Sequence, residues 1–145
     1  MEPEKKIHSL FTKPPKRNID IETTMSWEEE GSIIKGRTKE LNHSSKIAAF
    51  DMDSTLIITK SGKRFAKDYK DWQWWHRIVP SIMISLHKEG FKIIIITNQG
   101  GISKGKTRKS DITKKIESIQ LKLGVPMSAY IAMGDDYYRK PCVGI

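Results

Sequence analysis

A single cysteine, Cys142, stands in a chain of 145 residues. That excludes a disulfide framework and any zinc site built from several cysteines, and it fits a reducing compartment. Long apolar runs are missing too. None approaches the roughly 18–20 residues of a membrane span, and the opening MEPEKKIHSL lacks the apolar core of a secretory signal. These absences predict a soluble intracellular protein with no membrane partner.

What is present is charge, unevenly placed. Of 26 basic and 17 acidic residues, eight of each lie in residues 1–45, which leaves eighteen against nine in the remainder and puts the whole net charge of +9 there. Such an excess suits a polyanionic partner, and it equally suits a solvated basic surface.

The composition shifts near residue 25. Residues 1–24 mix Pro, Lys and Thr with few apolar residues and no sustained period, the signature of a disordered tail. Within it Ile7, Leu10 and Phe11 are spaced for one face of a helical turn, ahead of the basic cluster KPPKR. That spacing resembles the peptide that docks on sliding DNA clamps, with Glu4 in place of its Gln and Leu10 in place of one aromatic. The cluster reads as a nuclear import signal or as plain charge.

From Trp27 onward the pattern is globular, and residues 25–145 are expected to form one domain. GSIIKGR is a candidate edge strand, and KIAAF (46–50) a buried parallel strand. A basic loop, TKSGKRFAKDYKDW, follows at 59–72, in which Trp72, with Trp74 and Trp75 beyond it, suits core or rim packing. Pro80 opens a helix whose Ile82, Met83 and Leu86 share a face, with Gly90 at its end. FKIIIIT is a strong strand. A second helix, capped by Asp111, carries Ile112, Ile116, Ile119 and Leu123 at helical spacing and ends at Gly124 and Pro126. SAYIAM (128–133) completes a β-α-β-α-β order, which predicts an α/β fold with a doubly wound parallel sheet and right-handed crossovers.

The stretch AAFDMDSTLI (48–57) then becomes informative. In such a sheet the functional crevice lies beyond the carboxyl ends of the strands. Asp51 and Asp53 follow the first strand, Thr97 and Asn98 end the second, and Lys140 follows the third. Two carboxylates, a hydroxyl and an ammonium suit phosphoryl chemistry: one carboxylate attacks phosphorus, the second protonates the leaving oxygen, and Thr and Lys hold phosphate oxygens. Carboxylates beside a phosphate dianion call for a hard cation, Mg²⁺, on Asp51 and Asp53. Taken singly, the same residues are turn formers and a surface lysine.

DMDST, the TN of IIIITNQGG and the Lys of YRKP resemble the first three motifs of the haloacid dehalogenase superfamily, with its Rossmann-type fold. Within it, FDMDSTLIITKSGKRF, DWQWW, EGFKIIIITNQGGISKGK and YRKPCVG resemble the phosphatase domain of the polynucleotide kinase 3′-phosphatase family, enzymes of DNA strand-break repair. The resemblance implies Asp51 as nucleophile, Asp53 as general acid and base, Thr97 as phosphate ligand and Lys140 as the group that neutralises the phospho-aspartate. It also implies a nuclear enzyme acting on DNA ends bearing 3′-phosphate. Thr55, Asn98, Ser61, Gly62, Lys63, Arg64, Lys104 and Lys106 are the accompanying candidates for phosphate and substrate contact. Ser54 stands where the superfamily has Gly, which a negative φ would accommodate. Asp135 and Asp136 precede Lys140 and are read as loop residues, not as the superfamily's acidic fourth motif, which follows the Lys.

The chain reaches only to Ile145, so the sheet and the metal site are expected to be incomplete at the carboxyl end and the activity of these residues alone to be small. No ATP-binding phosphate loop, and hence no kinase half, is expected. Two other readings stay open: a small-molecule phosphatase of the superfamily, disfavoured by the lack of a cysteine-rich zinc loop, and a non-catalytic DNA- or clamp-binding module.

Overall fold

The computed structural model describes residues 25–40, 43–142 and 144. The expected tail, with Ile7, Leu10, Phe11 and KPPKR, lies outside them. Seven strands and two helices follow in the order β1 (Met25–Glu30), β2 (Ile33–Thr38), β3 (Ile47–Phe50), β4 (Ile57–Ile58), β5 (Gln73–Trp74), α1 (Val79–Lys88), β6 (Lys92–Asn98), α2 (Lys109–Leu123) and β7 (Met127–Ala132).

The main sheet runs β1-β2-β7-β6-β3. Strands β3, β6 and β7 are mutually parallel, as the β-α-β-α-β order requires. The sheet as a whole is mixed, because β2 pairs antiparallel with both β1 and β7. GSIIKGR is therefore an inner strand and not an edge: β1 covers it through a two-residue turn that places Gly31 at φ +58. Such turns need a positive φ at that position. The hairpin is tied to α2, where Trp27 Nε1 donates to Glu117 Oε1 at 2.7 Å and Lys109 pairs with Glu29. Gly36, opposite Trp27, leaves room for the indole ring that a Cβ would strike.

Four consecutive isoleucines make β6 a strand buried on both faces, since β-branched side chains fit the pleat. KIAAF departs from expectation. It forms the sheet's edge, with Ile47 57% exposed and Ala49 also outward, because among the described residues β3 pairs only with β6. Helix α1 starts with Pro in its first turn and ends before Gly90 at φ +90. Its core contact comes from Val79 and Met83, with Ile84 and Leu86 packed against that core, while Ile82 faces outward. Helix α2 begins earlier than expected: Arg108 is the N-cap residue and makes no side-chain cap bond, so Asp111 sits within the first turn, where a carboxylate complements the helix dipole. Gly124 closes α2 in the left-handed conformation. The two helices touch each other, so they share one side of the sheet, and the described residues do not build the second helical layer of a doubly wound sheet. Neither helix is long and apolar enough to cross a membrane.

The segment between β3 and α1 is more ordered than a basic loop suggests. Strands β4 and β5 pair antiparallel at its base. Trp72 is buried there, with Trp74 at an edge-on centroid distance of 5.2 Å, while Trp75 is exposed.

Candidate active site

Asp51 and Asp53 flank Met52, whose side chain is completely buried. Alternation turns both carboxylates outward at the carboxyl end of β3. The turn that follows is pinned on one atom: the amides of Leu56 and Ile57 donate to the Met52 carbonyl at 2.9 and 3.2 Å, and the Ser54 amide donates to Ile57 O at 2.8 Å. Ser54 adopts φ +62, in the left-handed region. The negative φ that would accommodate serine is therefore not adopted, and this position is one where glycine would be unstrained.

Strand β6 delivers Thr97 and Asn98. The Asn98 side chain locks the loop that carries Lys140, with Lys140 N donating to Asn98 Oδ1 at 3.0 Å and Asn98 Nδ2 donating to Lys140 O at 3.2 Å. So positioned, Lys140 Nζ donates to Asp51 Oδ1 at 2.6 Å and to Ile96 O at 2.8 Å. Thr55 Oγ1 lies 3.4 Å from the other oxygen of Asp51. Thr97 is only 1% exposed, and Gln99 lies in front of it, its Nε2 donating to Thr97 Oγ1 at 2.9 Å and to Asp53 Oδ2 at 2.8 Å. The four expected catalytic residues therefore fall into two hydrogen-bonded pairs at the carboxyl ends of β3 and β6: Asp51 with Lys140, and Asp53 with Thr97 through Gln99. Sequence reading passed over Gln99, although its place directly after a strand-end Thr-Asn was the available signal.

Beside Asp53 an open cleft of about 670 Å³ runs between the 59–71 loop, the 98–107 loop and α2. Asn98, Lys63 and Arg64 line it. Lys104 and Lys106 do not; they are exposed on the outer loop. Ser61 and Gly62 do not line it either; they fold the 59–71 loop behind it. Ser61 Oγ donates to Asp71 Oδ2 at 2.7 Å, its amide donates to Asp71 Oδ1 at 2.7 Å, and Gly62 takes φ +75. With the Lys67 amide at 2.9 Å, Asp71 closes the loop on itself. The Lys67 amide first, then the Ser61 hydroxyl, holds its carboxyl down to about 2. Phe65, 76% exposed with the Arg64 guanidinium 5.3 Å from its ring centroid, stands at the cleft.

GGISKGKT (100–107) does spell the glycine-rich GxxxxGK[ST] pattern, between a strand and a helix, contrary to the expectation that the chain has none. The backbone shows why it is not a phosphate cradle. The amides of Lys106 and Thr107 donate to Gly101 O at 2.8 and 3.1 Å, and that of Gly105 to Ile102 O at 3.1 Å. Amides that would have to face a phosphate are already used within the loop.

Asp135 pairs with Arg139 at 3.1 Å, and Asp136 accepts from the Tyr138 amide at 3.1 Å, so both are loop residues, as read. Ser32, then the Tyr138 amide, holds the Asp136 carboxyl below its ordinary value. Among the described residues no three His, Cys, Asp or Glu side chains gather as a metal cage. The Asp51 carboxylate and the main-chain oxygen of Asp53 nevertheless fit the protein share of a Mg²⁺ shell, because that ion takes few protein oxygens and leaves its other positions to water and phosphate oxygens.

Comparison with known proteins accords with this geometry. The chain is 35% identical over 121 residues to the bifunctional polynucleotide phosphatase/kinase of Schizosaccharomyces pombe, covering 83% of this chain and 30% of that protein. It is 35% identical over 130 residues to the polynucleotide 3′-phosphatase ZDP of Arabidopsis thaliana, covering 80% of this chain and 18% of that one. The crystal structure of a HAD-like phosphatase from Mesorhizobium loti superposes with a TM-score of 0.65 at 18% identity, over 79% of this chain and 61% of that chain, which shows the fold. The β1–β2 hairpin precedes the stretch that matches the family profile, yet it is hydrogen-bonded into the same sheet. Residues 46–145 match the polynucleotide kinase 3 phosphatase family, and the chain belongs to it.

Proposed function

We propose that these residues carry the chemistry of a polynucleotide 3′-phosphatase, removing phosphate from the 3′ ends of DNA. The observation that carries the reading is the Asp51–Lys140 pair at 2.6 Å, placed next to a cleft lined by Lys63, Arg64 and the exposed ring of Phe65. A carboxylate fixed beside an ammonium suits attack on a phosphorus whose oxygens that ammonium also attracts. Basic side chains beside an aromatic face suit a nucleic-acid strand more than a small metabolite.

The Asp51 carboxylate attacks phosphorus, the bond from phosphorus to O3′ breaks, and Asp53 gives its proton to the departing oxygen. Water then attacks the phospho-aspartate, its proton passes to Asp53, the Asp51–phosphorus bond breaks and inorganic phosphate leaves. Gln99 occupies only Oδ2 of Asp53, which leaves Oδ1 for the proton. Lys140 keeps Asp51 oriented before attack and offsets the charge of the intermediate. Thr97 Oγ1 accepts from Gln99, which leaves the hydroxyl's own proton to donate to a phosphate oxygen, so Gln99 orients that donor. Mg²⁺ held by Asp51 and the main-chain oxygen of Asp53 would supply neutralising charge between the carboxylates and the phosphate dianion.

Release of inorganic phosphate from a 3′-phosphorylated oligonucleotide, with and without Mg²⁺, tests this. Asp51→Asn should cut turnover at least ~10³-fold, as loss of a covalent nucleophile does elsewhere. Undiminished turnover by that variant would remove the proposed role.

A further inference from the structure

Helix α2 sends Ile112, Ile116, Ile119 and Leu123 into the core, and Lys115 lies on the same stripe, three residues after Ile112 and four before Ile119. A leucine there would bury more apolar area and bring no ammonium to solvate. Lys115 is 6% exposed, yet among the described residues no ion pair, hydrogen bond or aromatic ring engages its head. Nor is that head sealed in. The buried side-chain nitrogen left without a partner among the described residues is His87 Nδ1, not the Lys115 ammonium. The stem therefore threads the packed stripe while the head opens into the cleft that Lys115 lines together with Lys63 and Arg64.

The carboxylates of the same wall do not serve it. Both oxygens of Asp71 accept from Ser61 and Lys67, and Asp53 Oδ2 accepts from Gln99. The cleft thus holds a helical ammonium with no ion-pair contact among the described residues, apart from the Asp51–Lys140 pair, neither member of which lines it. We infer that Lys115 is an anion subsite for an internucleotide phosphate, the one nearest the 3′ end of a strand lying in the cleft. A monoanionic diester suits a point charge of this kind. About 670 Å³ is more space than a phosphate alone requires, and a strand whose terminal phosphate meets Asp51 must run its next phosphate out past Asp53. The assignment of that end rests on the 3′-phosphatase reading.

The test is a double-mutant cycle in binding, by fluorescence anisotropy on the full chain without divalent cation. The probe is a 5′-fluorescein trithymidylate bearing 3′-phosphate, with either a phosphodiester or a neutral methylphosphonate at the linkage nearest the 3′ end. In the parent the methylphosphonate should weaken binding about tenfold, and Lys115→Met should weaken binding of the diester by a similar factor. With both changes there should be no further loss, while Lys115→Arg retains most of the affinity. Equal weakening of both probes by Lys115→Met would mean a packing role and overturn the inference. Indifference of the parent to the methylphosphonate would overturn it whether or not the variant folds. A 3′-hydroxyl version separates the two readings. Loss of any preference for the 3′-phosphate would sink the phosphatase reading, while the cycle still decides Lys115.

Discussion

Lys140 Nζ lies 2.6 Å from Asp51 Oδ1, although 89 residues separate them in the chain, and a second bond to Ile96 O fixes its direction. The pair is half-exposed, so its share of folding stability is small, about 0.2–1 kcal/mol. Its share of transition-state stabilisation should be larger. Lys140→Met is expected to lower kcat about 10²–10³-fold, the range for loss of one preorganised donor, while shifting the urea midpoint little. Steady-state phosphate release beside a denaturant curve checks both halves of that statement.

Ser54 at φ +62 makes the opposite kind of prediction. A left-handed non-glycine residue costs about 1–2 kcal/mol, of which part is offset when glycine loosens the unfolded chain. Ser54→Gly should therefore stabilise the fold by about 0.5–1 kcal/mol, and a β-branched residue there should destabilise it. Urea unfolding of the three proteins would show the ordering.

Asp71 predicts a pH dependence. Its carboxyl, held down to about 2 by the Lys67 amide and then the Ser61 hydroxyl, binds a proton more weakly in the folded state than in the unfolded chain, where the ordinary value is 3.8. The sign follows: the stability it contributes is fully present above pH 3.8 and is lost as pH falls towards 2. Asp71→Asn should be less stable than the parent at pH 5, with the difference shrinking steadily towards pH 2. Thermal melts across that range check it, and protease sensitivity of the 59–71 loop should rise in the variant.

The two basic loops should differ. Lys63 and Arg64 line the cleft while Lys104 and Lys106 stand outside it. Each lost contact with single-stranded phosphate lowers the slope of log affinity against log salt by about 0.7. Replacing Lys63 and Arg64 by Ala should lower that slope for a short 3′-phosphorylated strand, and replacing Lys104 and Lys106 should matter only for longer strands or duplex ends. Anisotropy titrations at several salt concentrations, with two probe lengths, separate the cases.

The site's chemistry was legible because each element announced itself locally: an Asp pair after one apolar run, Thr97 and Asn98 after another, Lys140 beyond a third. The parallel core followed from the same runs. What sequence could not supply were relations decided by pairing. MSWEEE has three adjacent acids and little alternation, so β1 became visible only through its turn at Gly31 and its contacts with α2. KIAAF looked buried because its composition is apolar, and composition does not say which strand has a neighbour on each side. Gln99 and Asp71 act through hydrogen bonds that close only in three dimensions. Lys115 did leave a mark, a cation on an otherwise apolar helical stripe.

That β3 is outermost bears on Asp51 itself. Among the described residues the strand carrying it is hydrogen-bonded to β6, so the position of Asp51 is referred to that strand. The reciprocal Asn98–Lys140 clasp and the Lys140 bond to Ile96 O anchor the far end of the Asp51 ion pair to that same β6. Strand β6 thus acts as the common datum for both charges, and one element sets the distance between Asp51 and Lys140.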